Sequence, residues 1–228
     1  MRIMTKNHPH SVVHAMGNRH DYLPAAGRDA LLPGYDLLTR LLGMRKLHET
    51  LVAQAELASG QRILEIGCGT GNLTVRAKRA QPGSEVIGSD PDPLALARAE
   101  RKANGLSGIR FERGYAQELP YPDQEFDRVL SAMMLHHLTT DIKSAALAEA
   151  HRVLRPGGSL HIVDVGGPVT ADDGLVARLM LHNHHVADNL GDGIPHLLRT
   201  AGFDAAVVAS QRHRRLGRIT YYRATRPS

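Results

Sequence analysis

The chain has 228 residues, of which 42% are hydrophobic, and it carries a formal net charge of +5. This length suits one α/β domain with a substantial core, and no apolar run reaches the roughly 18 residues that a membrane-spanning helix needs. The single cysteine, Cys68, excludes an intrachain disulfide and a cysteine zinc cluster. We therefore expect one continuous, cytoplasmic folding unit, in which residues 1–60 form an N-terminal helical segment and residues 61–228 form the main domain.

The N-terminal segment is predicted to be helical. Between residues 34 and 59, leucines recur at roughly helical intervals, which indicates two helices. Tyr22 and Tyr35 lie on or near these helices. Their side chains could either face a ligand or pack in the core.

Residues 63–72, ILEIGCGTGN, place an apolar run before three alternate glycines and a helix predicted over 73–80. Gly67, Gly69 and Gly71 can adopt positive φ and carry no Cβ, so this turn can approach a ligand closely. Free N–H groups at the start of the helix favour a carboxylate or phosphate nearby. The third glycine comes one residue too early for the G-x-G-x-x-G turn of dinucleotide-binding proteins. A glycine-rich turn without any ligand is the alternative interpretation.

A second predicted strand, residues 84–89, ends at Asp90. A carboxylate at this point can accept hydrogen bonds from both hydroxyls of a ribose. Nicotinamide enzymes use the same contact, so Asp90 indicates a ribose-bearing cofactor without identifying it. The alternative is that Asp90 caps the helix predicted over residues 91–104. We favour the ribose role.

Two later motifs complete the pattern. Residues 114–138 read GYAQELPYPDQEFDRVLSAMMLHHL, and residues 149–161 read EAHRVLRPGGSLH. In the second, the proline ends a helix and the two glycines permit a turn into the next strand.

Taken in order, these motifs resemble those of the class I S-adenosylmethionine-dependent methyltransferases. Glu65 and the glycine turn match the E-x-G-x-G-x-G of motif I. Residues 114–138 resemble the G-D-A-x-x-L-P-F-x-D-x-x-F-D-x-V run of small-molecule methyltransferases, and the likeness spans roughly residues 63–164. One departure is Tyr115, because relatives usually place there an acid that receives the adenine amino group. The backbone at Ala116 could make the adenine contact instead.

The resemblance implies a set of cofactor contacts, with S-adenosyl-L-methionine as methyl donor and S-adenosyl-L-homocysteine as product. Glu65 would help to hold the amino-acid end of the donor, and the N-terminal helices would form a cap over the active site. Cys68 is interpreted as a small buried residue, with a reactive thiol as the alternative. The implied cofactor-binding residues are Tyr35, Glu65, Gly67, Cys68, Gly69, Gly71, Asp90, Pro91, Tyr115, Ala116 and Ser131.

His136 and His137 directly follow the fourth predicted strand. Related natural-product O-methyltransferases place a histidine beside the acceptor at this point, and Asp164 resembles their accompanying acid. An imidazole there can accept a proton near neutral pH. Since adjacent residues point in different directions, we predict His136 as the base and leave the role of His137 open. The alternative is that both histidines cap or pack against the helix that begins near Thr140.

The late part of the chain is basic, with Arg212, Arg214, Arg215, Arg218, Arg223 and Arg226 on a predicted terminal hairpin. Such a surface could contact phosphates. An aromatic content of 4% leaves few platforms for stacking bases, so a nucleic-acid partner is disfavoured. His182 and His185 would share a helix face, but the sequence indicates no further ligands, and we predict no metal site.

Strands are predicted at residues 62–67, 84–89, 109–114, 127–133, 158–165, 204–210 and 217–224, with helices between the first five. This alternation predicts an α/β fold, a doubly wound Rossmann-like sheet of seven strands with an antiparallel terminal hairpin. Ligands then belong at the carboxyl ends of the central strands.

We therefore expect a methyltransferase that acts on a small organic acceptor, at oxygen, with carbon and nitrogen left open. A close relationship to quinone-pathway C-methyltransferases is disfavoured, because their F-G-x-R-N run after the fourth strand is replaced here by residues 134–138. The alternatives are a non-catalytic S-adenosylmethionine-binding module, an RNA or protein methyltransferase, and a nicotinamide oxidoreductase. A homodimer is left open.

Overall fold

The computed structural model describes residues 42–168, 189–213 and 215–228. Tyr22, Tyr35 and the histidines at positions 182, 184 and 185 lie outside these ranges, so the predictions for them stay predictions. Within the described ranges, no helix is long and apolar enough to cross a membrane. The elements are α1 (Met44–Ala55), β1 (Arg62–Ile66), α2 (Asn72–Ala80), β2 (Glu85–Asp90), α3 (Pro93–Ala103), β3 (Ile109–Arg113), β4 (Phe126–Ala132), α4 (Thr140–Val153), β5 (Leu154–Val165), α5 (Gly193–Thr200), β6 (Asp204–His213) and β7 (Gly217–Thr225).

The seven strands form one sheet in the order β3-β2-β1-β4-β5-β7-β6. Strands β1 to β5 are parallel to their neighbours, whereas β7 runs antiparallel to both β5 and β6. The predicted doubly wound sheet and its antiparallel terminal hairpin are confirmed. Because the chain winds outward in both directions from the β1 and β4 pair, the carboxyl ends of these two strands border a crevice where ligands bind in such sheets.

Both faces of the sheet are buried, because the central strands are apolar on both sides. On one face, Ile63 of β1 and Leu130 of β4 pack against Leu47 and Leu51 of α1. On the other, Leu64 of β1 belongs to a second cluster, whose further members include Val129, Leu147, Ile162 and Leu198. Helix α1 is therefore part of a layer on the sheet. The predicted cap over residues 1–60 stays a prediction, since residues 1–41 lie outside the described ranges.

The connection between β3 and β4 differs from the sequence-based prediction. A helix was expected there, but residues 114–125 form turns. Pro120 and Pro122 lack an N–H group and disfavour helical geometry in the residues before them. The guanidinium of Arg152, on α4, instead holds this connection by donating hydrogen bonds to the carbonyl oxygens of Leu119 and Tyr121 at 3.1 and 2.8 Å.

Three element boundaries differ from the prediction by two residues or more. Helix α3 begins at Pro93 instead of residue 91, β5 begins at Leu154 instead of residue 158, and β6 ends at His213 instead of residue 210. The predicted Pro-Gly-Gly turn is an irregularity within β5, where Gly157 has φ 76° and the pairing with β4 shifts register. A left-handed residue can interrupt a strand pairing without ending the strand.

One arginine of the basic hairpin has a structural role. Arg226 Nη1 donates hydrogen bonds to the carbonyl oxygens of His151, Arg152 and Leu154 at 2.8, 3.1 and 2.7 Å. These carbonyls stand at the end of α4, where helical partners are missing. Arg226 therefore connects the end of the last strand to the end of α4.

Candidate active site

The glycine turn connects β1 to α2 at the carboxyl edge of the sheet. Gly67, Gly69 and Gly71 have φ values of 73°, 50° and 74°, as the sequence predicts. A Cβ on Gly67 would lie 2.5 Å from Met134 Cγ, and one on Gly71 would lie 2.7 Å from Ala99 Cβ. The turn therefore needs glycine both for its backbone conformation and for close packing.

Asp90 is the last residue of β2 and lies beside the glycine turn. Its Oδ2 accepts a hydrogen bond from Gly69 N–H at 2.7 Å, and its Oδ1 accepts one from Asp92 N–H at 3.0 Å. Burial raises the pKa of Asp90 to about 6, although both hydrogen bonds act in the opposite direction. Each carboxylate oxygen keeps a further lone pair for a ligand hydroxyl. The ribose contact itself stays a prediction.

The alternative role for Asp90, as the cap of the next helix, belongs to Asp92. The Asp92 carboxylate accepts hydrogen bonds from the N–H groups of Leu94 and Ala95 at 2.9 and 3.2 Å. The helix starts two residues later than predicted, so the capping position moves with it. Asp90 is thereby left at the strand end.

Glu65 lies within β1 and contacts α2. Its Oε2 accepts a hydrogen bond from the Thr74 hydroxyl. Burial raises the pKa of Glu65 to about 8, the Thr74 hydrogen bond opposes this shift, and the charge of Asp90 adds to it. In this structure Glu65 joins the strand to the helix behind the glycine turn. Its contact with the amino-acid end of the donor stays a prediction.

Two other predicted cofactor contacts are buried. Cys68 is 5% exposed, and burial together with the carboxyls of Glu65 and Asp90 raises the pKa of its thiol. The interpretation of Cys68 as a small buried residue is therefore favoured over a reactive thiol, which needs a low pKa. Ser131 is 3% exposed, and its hydroxyl has no hydrogen-bond partner among the described residues.

The remaining predicted cofactor contacts surround the carboxyl end of β3. Tyr115 and Ala116 are both partly exposed, and Tyr115 accepts a backbone hydrogen bond from Glu118 N–H at 3.1 Å. Arg113, the last residue of β3, donates from Nε to the carbonyl oxygen of Pro91 at 3.2 Å. The structure thus brings Pro91 and Tyr115 to the same edge of the sheet as Asp90.

His136 and Asp164 meet at the carboxyl ends of β4 and β5. His136 Nδ1 lies 2.6 Å from Asp164 Oδ1, and Asp164 Oδ2 accepts a hydrogen bond from Leu135 N–H at 2.8 Å. Asp164 is completely buried, and burial alone would raise its pKa. The neighbouring His136 and the hydrogen bonds outweigh burial and hold the pKa of this carboxyl below its ordinary value.

The backbone after β4 positions this pair. Met133 has φ 56°, an uncommon value for a residue with a side chain, and its N–H donates to Val163 O at 2.8 Å. The chain then forms a 3₁₀ turn over Leu135–His137. This reversal directs His136 onto Asp164. The rings of His136 and His137 contact each other with centroids 3.9 Å apart and planes inclined at 44°.

Several residues of the site were missed by the sequence analysis. Thr74 holds Glu65, Met134 packs on Gly67, and Asp92 caps α3. A β-branched threonine in the first turns of a helix is a weak signal of a special contact. The contact between Met134 and Gly67 joins distant segments and left no signal in the sequence. Within the described residues, no three His, Cys, Asp or Glu side chains could hold a metal ion.

Comparisons with known proteins identify methyltransferases among the relatives of this chain. A family model described as a methyltransferase domain matches residues 63–158. A demethylmenaquinone methyltransferase of Deinococcus radiodurans is 38% identical over 167 residues, covering 71% of this chain and 67% of that protein. A ubiquinone/menaquinone biosynthesis C-methyltransferase of Marinomonas sp. is 33% identical over 141 residues, covering 59% of this chain and 55% of that protein.

A solved structure shares the fold. Phosphoethanolamine N-methyltransferase 2 of Haemonchus contortus, in complex with S-adenosyl-L-methionine, has a TM-score of 0.65 and 17% sequence identity, covering 80% of this chain and 53% of that chain. At this identity the likeness concerns the arrangement of strands and helices.

The relatives overturn one expectation from the sequence. A close relationship to quinone-pathway C-methyltransferases was disfavoured because their F-G-x-R-N run is missing, yet proteins with such names are 38% and 33% identical to this chain. That expectation is wrong. Its error came from a short loop after β4, and loops vary more than the elements they connect.

Proposed function

This chain belongs to the class I S-adenosylmethionine-dependent methyltransferases, and from that premise we propose that it methylates a small hydroxylated ring compound, with His136 as base. Its use of S-adenosylmethionine in methyl transfer follows from the matched domain and relatives. The acceptor and the base are the proposed part. The single observation that supports them best is the 2.6 Å contact between His136 Nδ1 and Asp164 Oδ1.

The donor half of the site fits S-adenosylmethionine. Gly67, Gly69 and Gly71 have positive φ, so the backbone of this turn can approach a ligand closely. Asp90 presents a carboxylate at the neighbouring strand end, with lone pairs for two ribose hydroxyls. When bound, the cofactor supplies a methyl group on a positively charged sulfur, which is already a good leaving group.

His136 would take up the proton of the acceptor hydroxyl. A proton on Nδ1 donates to Asp164, which leaves the lone pair of Nε2 available. The imidazole is 16% exposed, so the acceptor can reach it. Once Nε2 is protonated, the ionised Asp164 carboxylate stabilises the imidazolium. The low pKa of Asp164 keeps the proton on the histidine.

We further propose a ring carbon as the methylated atom. Loss of the hydroxyl proton from a hydroquinone-type ring leaves a negative charge shared between the oxygen and the adjacent ring carbons. An electron pair of such a carbon would then form the bond to the methyl group while the bond between this methyl and the sulfur breaks, and S-adenosylhomocysteine leaves with the sulfur electron pair. The carbon afterwards loses its own proton to solvent, which restores the aromatic ring, and the ring oxygen takes back a proton from His136. The same base would serve methylation at oxygen, which the sequence analysis favoured. The names of the relatives support carbon.

Product analysis tests this proposal. Purified protein is incubated with S-adenosylmethionine and reduced naphthoquinones that have an unsubstituted ring carbon, and products are identified by mass spectrometry and NMR. We expect a carbon-methylated product and one equivalent of S-adenosylhomocysteine. A methyl ether as the product would show that oxygen, and not carbon, is the methylated atom. Binding of S-adenosylhomocysteine without turnover of any hydroxylated acceptor would instead support the non-catalytic binding module.

The matched histidine variants test the base. His136→Ala is expected to lower turnover by about 10²–10⁴-fold, the usual contribution of a positioned base, while His137→Ala changes it far less. S-adenosylhomocysteine affinity, measured by calorimetry, should stay the same in both variants. Equal losses in the two variants, or none in His136→Ala, would remove His136 as the base.

A further inference from the structure

Arg113 and Tyr115 stand together at the carboxyl end of β3. Arg113 Nη2 lies 3.5 Å from the Tyr115 hydroxyl oxygen, and Arg113 Nε donates to Pro91 O at 3.2 Å. Both contacts of the guanidinium are with uncharged oxygens. Tyr115 occupies the position at which related methyltransferases usually place an acid for the adenine amino group. This chain therefore presents a phenol and a cation where a carboxylate is expected.

The position of the pair in the sheet is next to the predicted ribose contact. Asp90, the predicted ribose contact, is paired in register with Arg113 on the neighbouring strand. β3 is the outermost strand on this side of the sheet, so a base attached to a ribose held by Asp90 would lie near the ends of β2 and β3. This step rests on the assignment of S-adenosylmethionine as cofactor in the proposed function.

A carboxylate and the phenol of Tyr115 would recognise the base in different ways. A carboxylate only accepts hydrogen bonds, so it favours an amino group on the base strongly. A phenol both donates and accepts, and a hydrogen bond between neutral groups contributes about half as much or less. A tyrosine ring also offers a flat apolar face for the purine. Neither property of Tyr115 depends on the 6-amino group.

We propose that Tyr115, with Arg113 beside its hydroxyl, makes the base subsite of this enzyme largely indifferent to the 6-amino group of adenine. Recognition rests on the ring face and the ring nitrogens, which the Ala116 backbone can reach. The enzyme then accepts cofactor analogues whose purine carries hydrogen or a small alkylamino group at carbon 6.

Calorimetric titration with two ligands tests this inference without relying on turnover. The ligands are S-adenosylhomocysteine and its 6-deamino analogue, in which unsubstituted purine replaces adenine. We expect the wild-type dissociation constants to differ by less than about fivefold. Tyr115→Asp restores the usual acid and should raise the ratio above about tenfold, as expected for a charged acceptor. Gln117→Asp, in the same turn, is the matched control and should leave the ratio unchanged.

Each outcome has a distinct meaning. A wild-type ratio above about tenfold, or a ratio that Tyr115→Asp does not change, overturns the inference while the cofactor assignment stands. Failure of both ligands to bind the wild type overturns the cofactor pocket, and with it the proposed function. Tyr115 is partly exposed, so its replacement is compatible with folding, and a thermal melt of each variant checks this.

Discussion

Buried carboxyls have opposite pKa shifts in two parts of the site. We call Glu65, Asp90 and the glycine turn the donor half, and His136 with Asp164 the acceptor half. Burial raises the pKa of Glu65 to about 8 and that of Asp90 to about 6, whereas the pKa of Asp164 is lowered although it is completely buried. Burial is the largest cause of both raised pKa values, and a neighbouring carboxylate adds to each, Asp90 for Glu65 and Asp92 for Asp90. Asp164 lies against an imidazole that can become positive. The partner of a buried carboxyl, more than its depth, decides its charge.

This difference suits the proposed roles. In the donor half, carboxyls that accept protons easily serve as hydrogen-bonding groups that hold the turn and the first strand together. In the acceptor half, a carboxylate that stays ionised can stabilise a positive histidine throughout a proton transfer. Four substitutions test this difference between the two halves.

The largest effect is expected from Asp164→Asn. The variant removes the charge that stabilises His136 as an imidazolium, so turnover should fall by about 10²–10⁴-fold. S-adenosylhomocysteine affinity, measured by calorimetry, should be retained because the donor half is untouched. Asp204→Asn, an exposed residue of β6, is the control. Wild-type turnover in Asp164→Asn would show that the charge has no part in the reaction.

Asp90→Asn should break the donor half alone. It replaces the charged hydrogen bond to Gly69 N–H, and the proposed one to the ribose, by weaker neutral ones. We expect the dissociation constant of S-adenosylhomocysteine to rise about 10- to 100-fold. Titration of the variant beside Asp204→Asn checks this. An unchanged constant would exclude Asp90 as the ribose contact.

Arg152→Ala tests how much the turns between β3 and β4, which lie next to the donor half, contribute to stability and to cofactor binding. The arginine forms a bidentate pair with Glu149 and donates to two carbonyl oxygens of these turns. Its loss should destabilise the fold by about 1–3 kcal/mol and weaken cofactor binding only a few-fold. Thermal melts and titration measure both. Arg199→Ala, which removes an exposed ion pair, should leave the melting temperature within about one degree.

The smallest effect is a change in how stability depends on pH. Because the pKa of Glu65 is raised in the folded protein, its contribution to stability is full below the unfolded value and is lost as the pH rises towards 8. Glu65→Gln keeps an acceptor for Thr74, and its melting temperature should rise by several degrees relative to that of the wild type as the pH increases from 5 to 8.

Asp164→Asn should change the same profile with the opposite sign. The lowered pKa of Asp164 gives stability that is present at neutral pH and lost as the pH falls through the folded value. The variant should therefore lose most against the wild type at neutral pH. If the melting temperatures of Glu65→Gln and Asp164→Asn, relative to the wild type, changed with pH in the same direction, the contrast between the two halves would be contradicted.

Much of the fold could be predicted because its signals are local. The apolar runs of β1 and β2, the glycines between β1 and α2, and the alternation of strands and helices each depend on residues close in sequence. The helix predicted between β3 and β4 is wrong, since two prolines and a distant arginine determine that connection. The start of α3 was missed by two residues because Asp90 and Asp92 are both favourable capping residues in sequence, and the hydrogen bonds that Asp92 accepts from the N–H groups of Leu94 and Ala95 place the cap at Asp92.

The sequence by itself determined the family, the strand–turn–helix around the three glycines, and the position of Asp90 at the end of a strand. These depend on turn chemistry and on periodicities within a few residues. Only the tertiary structure decided that Thr74 holds Glu65, that Met134 closes on Gly67, and that His136 Nδ1 is the atom facing Asp164. The directions of the pKa shifts also depend on the tertiary structure. Burial and charge depend on which segments meet in space, and such contacts join residues that are far apart along the chain.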